Sequence, residues 1–172
     1  MRDPKSSFVL SARGHRQAPR WLRALCLCGA LLAASPAAQA GAPGTLVVLG
    51  SHVDAGSASF EKDVKAAART ALERKDDQWH LSFVAYLKKP PGAEEVSLVF
   101  YDNTPKREYI NSYTIRVKAT AKIVLSEIDL KPEDGFKAGN KYQVLITRLV
   151  GGKEDIFARS VVELKGPASE SK

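Results

Sequence analysis

Trp79-His80-Leu81-Ser82-Phe83-Val84-Ala85-Tyr86-Leu87 sets the reading of the whole chain. Trp79, Leu81, Phe83, Ala85 and Leu87 alternate with His80, Ser82, Val84 and Tyr86, a period of two that belongs to a half-buried β-strand. Lys88-Lys89-Pro90-Pro91-Gly92 ends it, because proline cannot donate to a strand ladder.

Downstream, the same kind of segment recurs at short intervals. Val96, Leu98 and Phe100 mark a strand closed by Asp102-Asn103-Thr104-Pro105. Strands are expected next over Tyr109 to Lys118 and Lys122 to Leu130, and a last pair over Tyr142 to Val150 and Ile156 to Leu164. Gly151-Gly152 joins that last pair, a dipeptide that tolerates the positive φ of a tight hairpin. Upstream, Thr45 to Val53 reads as a first strand. Phe60, Val64, Ala67, Ala68, Ala71 and Leu72 then recur at helical spacing, with Glu61, Lys62, Lys65, Arg69 and Glu73 on the other side. The spacing predicts a helix from Phe60 to about Lys75, capped by Ser59 and docked by its apolar stripe. The expected fold class is mainly β: a single antiparallel β-sandwich of about seven strands, with one amphipathic helix between the first two.

The segment Ile128-Asp129-Leu130-Lys131-Pro132, followed by Gly139-Asn140-Lys141-Tyr142-Gln143-Val144-Leu145-Ile146, resembles the approach to strand F in immunoglobulin-like and fibronectin type III-like sandwiches. The resemblance covers Ala121 to Leu164. It implies that Tyr142 is a tyrosine corner, its ring in the core and its hydroxyl bonded to upstream backbone. The chain departs from antibody domains in having Val144 where the strand F cysteine would fall, in placing Trp79 at the opening of the second strand, and in carrying a helix. A different antiparallel sandwich, such as a C2-like one, is the alternative. The resemblance implies a fold and no activity.

Residues 1–40 have the layout of an export signal. Arg16, Arg20 and Arg23 precede the apolar run Ala24 to Ala34, and Ser35-Pro36-Ala37-Ala38-Gln39-Ala40 ends in an Ala-x-Ala cleavage signal. The run is too short for a transmembrane helix of about 20 residues. Neither Cys26 nor Cys28 has the small preceding residue of a lipoprotein signal, since Leu25 and Leu27 stand there. The expected organisation is a cleavable signal peptide over 1–40, a sandwich domain over 41–165 and a tail over 166–172.

Cleavage changes the charge. The full chain has 26 Lys+Arg against 19 Asp+Glu, net +7; the leader holds six of the bases and one of the acids, so 20 and 18 remain and the net falls to about +2. Basicity therefore gives no reason to expect nucleic-acid binding. Both cysteines leave too, which removes disulfides, thiolate nucleophiles and Cys-based metal sites.

The sequence lacks the Gly-x-Ser-x-Gly, phosphate-loop, His-Glu-x-x-His and Gly-x-Gly-x-x-Gly signatures. His52 and Asp54 have the spacing of half a metal site that only His80 or distant carboxylates could complete, and Asp76, Asp77 and Asp102 fall at strand ends where calcium is bound in other proteins. The preferred readings are a strand end entering a polar loop and simple turns, so no catalytic, cofactor or metal residue is assigned. The one charge concentration is Lys106, Arg107, Arg116, Lys118 and Lys122, interrupted only by Glu108. These five are the candidate contact for an anionic partner, the plainer reading being an edge strand guarded by charge.

The expected function is that of a non-catalytic periplasmic or secreted binding or adaptor domain for a protein or an anionic envelope polymer, with no transmembrane segment in the mature chain. Two alternatives stand beside it: an enzyme whose site is built from loop carboxylates, Tyr and His, and a chaperone or assembly factor that uses a strand edge. An exposed edge without lysine or proline would favour the last.

Overall fold

The computed structural model describes residues 41–167. The expected leader lies outside the described residues. The strands are β1 (Thr45–Leu49), β2 (Ala68–Arg69), β3 (Ala71–Arg74), β4 (Trp79–Tyr86), β5 (Glu95–Asp102), β6 (Tyr109–Arg116), β7 (Ile123–Leu130), β8 (Lys141–Val150) and β9 (Lys153–Pro167). One helix, α1 (Phe60–Ala67), lies between β1 and β2, and a 3-10 turn covers Pro132–Asp134. Among the described residues there are thus nine strands, two of them in a segment expected to be helical. β9 also runs two residues into the expected tail.

The strands form one nearly closed sheet in the order β6-β5-β8-β9-β1-β4-β7, with β2 added to β1 and β3 to β9. Every pairing along that path is antiparallel except β1 with β9, which meet in parallel at Thr45 and Arg159. The curled interior holds Leu46, Leu81, Phe83, Leu98, Phe100, Val144, Ile146, Phe157 and Val162, among others, as one continuous apolar core. These are the alternate residues of their strands, so the period of two in the sequence is what fills the sheet's interior.

Helix α1 ends eight residues after it begins. Ala68 turns extended at φ −56° and ψ 134°, and β2 pairs Ala68 with Leu49 and Arg69 with Val48. Alanine's spacing fits a helix, but an unpaired edge of β1 is available and the ladder wins. Leu72 consequently lies on β3 opposite Leu164 of β9, in the main core and not on a helix face. Ser59 stands at the helix start without capping the backbone; its hydroxyl donates to the Asp63 carboxylate at 2.7 Å. The non-extended ψ of 9° at Ser59 departs from the β-region geometry typical of a side-chain cap.

The helix covers the outer face of β1 and β4. Val64 and Ala67 join Val47, Leu49, Val53, Val84 and Tyr86 in a second apolar cluster. For that reason β4 is buried on both faces, with His80 its one exposed residue, where alternation alone predicts a half-buried strand. The Tyr86 hydroxyl donates to Glu61 at 3.1 Å. Burial, then this carboxylate, push its pKa from 10.0 up to about 12. The unfolded chain ionises first, so the contribution of Tyr86 is present in full below about pH 10 and is lost as pH rises through about 12. Tyr86→Phe is expected to flatten that alkaline loss of stability, measured by denaturant titration across the same window.

At the start of β8, the Tyr142 hydroxyl accepts a hydrogen bond from the upstream Lys137 N–H at 2.7 Å and lies 3.5 Å from the Lys137 carbonyl. Its ring is buried against Phe136 at 5.4 Å, and Phe136 packs in turn on Phe100 at 5.1 Å. Gly151 and Gly152 both take positive φ, 56° and 78°, in the β8–β9 hairpin.

Candidate functional site

The antiparallel register of β4 and β7 runs unbroken from Trp79 opposite Leu130 to Tyr86 opposite Ile123. It puts His80 across from Asp129 and Ser82 across from Glu127, all four on the outer face. His80 Nδ1 lies 2.8 Å from Asp129 Oδ1, and its Nε2 lies 3.6 Å from Glu127 Oε2. The loop after β1 then brings His52, whose Nδ1 lies 3.3 Å from Glu127 Oε1. Two imidazoles and two carboxylates thus alternate in a row, His52, Glu127, His80, Asp129, with side chains 82%, 46%, 58% and 45% exposed. Beside them is a cleft of about 210 Å³ lined by Leu49, Val53, Phe83 and Leu125 together with His52, Ser82, Ser126 and Glu127. That is smaller than the roughly 300 to 1,000 Å³ of ordinary ligand pockets.

The row does not make a nucleophile. The His80 and Asp129 pair has the geometry that orients an imidazole, but the free ring nitrogen faces Glu127, and the Ser82 hydroxyl donates to Glu127 at 3.4 Å. His52 and Asp54, the spacing that suggests half a metal site, are used apart: Asp54 accepts from the Gly56 N–H at 2.8 Å, in a local turn. Among the described residues, no group of three His, Cys, Asp or Glu is placed to hold a metal ion. The three strand-end aspartates serve two separate turns. Asp76 and Asp77 take positive φ between β3 and β4, and Asp77 pairs with Arg74 at 2.9 Å. Asp102 accepts from the Glu108 N–H and the Thr104 hydroxyl at 2.7 and 2.8 Å.

The five candidate cations are all exposed, and the fold divides them. Lys106 and Arg107 lie in the β5–β6 turn, with the Arg107 guanidinium 4.4 Å from the centre of the Tyr101 ring. Arg116 ends β6, its side chain 93% exposed and 4.0 Å from Glu95. Lys118 lies in the β6–β7 turn, and the Lys122 carbonyl accepts from the Leu87 N–H just before β7. The eight residues of β6 span about 24 Å, more than twice the ~10 Å screening length, so the two ends act as independent charge groups. Tyr109 and Tyr113 do not share a face, although simple alternation would put them on one. A register shift at Phe100/Tyr101 turns Tyr109 outward, 58% exposed, while Tyr113 packs on Phe100 and donates to Asp134 at 3.1 Å. Burial, then that carboxylate, raise the Tyr113 pKa.

Among the described residues the sheet has two free edges, and they differ. β6 carries Arg116 and a register shift opposite Phe100/Tyr101. β7 reads Ile123-Val124-Leu125-Ser126-Glu127-Ile128-Asp129-Leu130, without lysine, arginine, proline or glycine, and leaves Ile123 and Leu125 42% and 36% exposed. Nothing in the sequence alone singles out Glu127 and Asp129. Their alternation is legible, but their meeting with His80 depends on a register between distant strands. Compared with protein-family models, curated proteins and solved structures, the chain matches none.

Proposed function

We propose that this is an exported, non-catalytic binding domain that takes an extended segment of a partner protein on the free edge of β7. The observation that carries the reading is that edge: eight residues laddered to β4 on one side and, among the described residues, unpaired on the other, with no lysine, arginine or proline between the flanking Lys122 and Lys131 and with two exposed apolar side chains. Proteins that do not use an edge of this kind blunt it with lysine, proline or a bulge, as β6 is blunted here. Adding a strand supplies main-chain hydrogen bonds for affinity and alternate side chains for specificity. Export is supported by the Ala-x-Ala leader and the cysteine-free remainder, which favour a periplasmic or secreted site of action.

An immunoglobulin-like or fibronectin type III-like identity fits the same reading. Two runs of strands, β1-β4-β7 and β5-β8-β9, with first and last strands in parallel contact, have the order expected of the A-B-E and C-F-G runs of such sandwiches, with β6 as an added strand beside β5. The Tyr142 hydroxyl bonded to backbone five residues upstream supports it further.

A photoreactive side chain placed at Leu125 is expected to cross-link an extended partner peptide in the native envelope, identified by mass spectrometry, while one at Thr114 on β6 is not. Leu125→Lys should abolish the partnership and leave the thermal midpoint within about 3 °C. Charge reversal at Arg116, Lys118 and Lys122 should leave binding intact. Loss of binding in that variant, with Leu125→Lys silent, would replace this reading by an anionic partner at that end of β6.

A further inference from the structure

We infer that the segment received by β7 is cationic at one end and apolar at the other, in the order cation-x-cation-x-apolar-x-apolar along its own chain. The inference rests on the edge reading above and adds the chemistry of the partner. Outward-facing residues of β7 run Ile123, Leu125, Glu127, Asp129, which follows from their register with Tyr86, Val84, Ser82 and His80. An antiparallel strand added to the edge continues that face and sets one of its own side chains opposite each of the four. Reading along the incoming strand, the first two alternate positions meet Asp129 and Glu127 and the next two meet Leu125 and Ile123.

Those carboxylates have charge to spare. Among the described residues, Glu127 and Asp129 pair only with His52 and His80, and neither meets a lysine or arginine. Both are close to half exposed, and each carboxylate can accept several hydrogen bonds, so a lysine can join without displacing an imidazole. An acidic segment would instead set like charges directly opposite one another, which destabilises a sheet pair. The apolar half is fixed by Leu125, which borders the small cleft with Leu49 and Val53, and by Ile123 beside it.

Two synthetic peptides test this, Lys-Thr-Lys-Thr-Val-Thr-Val and Glu-Thr-Glu-Thr-Val-Thr-Val, titrated against the purified protein, with amide hydrogen exchange read along β7. The lysine peptide is expected to bind about tenfold more tightly than the glutamate peptide at low salt, to protect β7 and not β6, and to lose much of that advantage at high salt. Glu127→Gln with Asp129→Asn should bring the two affinities within about twofold, whereas Leu125→Lys should weaken both. Equal binding of the two peptides to the unaltered protein, with β7 protected, would overturn the charge inference and leave the edge reading standing. If neither peptide protects β7, both readings are overturned.

Discussion

Tyr142→Ala is expected to lower the free energy of unfolding by about 3 to 5 kcal/mol, while Tyr142→Phe costs only about 1 kcal/mol. The ring is 1% exposed and held between Phe136 and the strand, so deleting it opens a cavity in the main core. The phenylalanine variant keeps the ring and removes one hydrogen bond, leaving the Lys137 N–H to find water. Paired denaturant curves measure both. Near-equal effects would mean that the hydroxyl does not pin the turn from Pro132 to Asn140, and the case for a corner of the immunoglobulin type would go with it.

The turn before Tyr142 is legible in the amino-acid sequence because its parts are local: Leu130 and Pro132 stop one strand, Gly139 turns the chain, and Tyr142 opens the next. The alternation in β4 and the Gly151-Gly152 hairpin are legible for the same reason. The helix is legible only in part. Ala68, Ala71 and Leu72 fit a helical stripe and a strand equally well, and what decides between them is the unpaired edges of β1 and β9, which the local sequence does not display. The candidate site is the least legible. His80 can be placed on an outer face, and Glu127 and Asp129 alternate together, yet their meeting requires the β4–β7 register, and the importance of β7 requires knowing that it ends the sheet. The basic residues stand out readily as a cluster in sequence, but the length of β6 separates them in space.

Trp79 supports the second large expectation. It opens β4, is 1% exposed and donates its indole N–H to the Lys165 carbonyl near the end of β9 at 2.6 Å. The Arg74 guanidinium lies 5.5 Å from the ring centre, and its Nε is buried without a hydrogen-bond partner, so the aromatic face helps to hold that cation. Trp79→Ala is therefore expected to cost about 3 to 5 kcal/mol for the cavity, and the exposed carbonyl and the unsupported arginine add to it. Trp79→Phe keeps an aromatic surface and loses the indole donor, so it should fall between the wild type and the alanine variant. The two losses should also differ in place. Hydrogen exchange in Trp79→Phe is expected to rise first in β3 and in the last residues of β9, the strands that the indole and Arg74 bind together, with β5 and β8 still protected. Uniform loss of protection across the sheet would instead mean that the β3–β9 pairing has no stability of its own and opens only with the whole core.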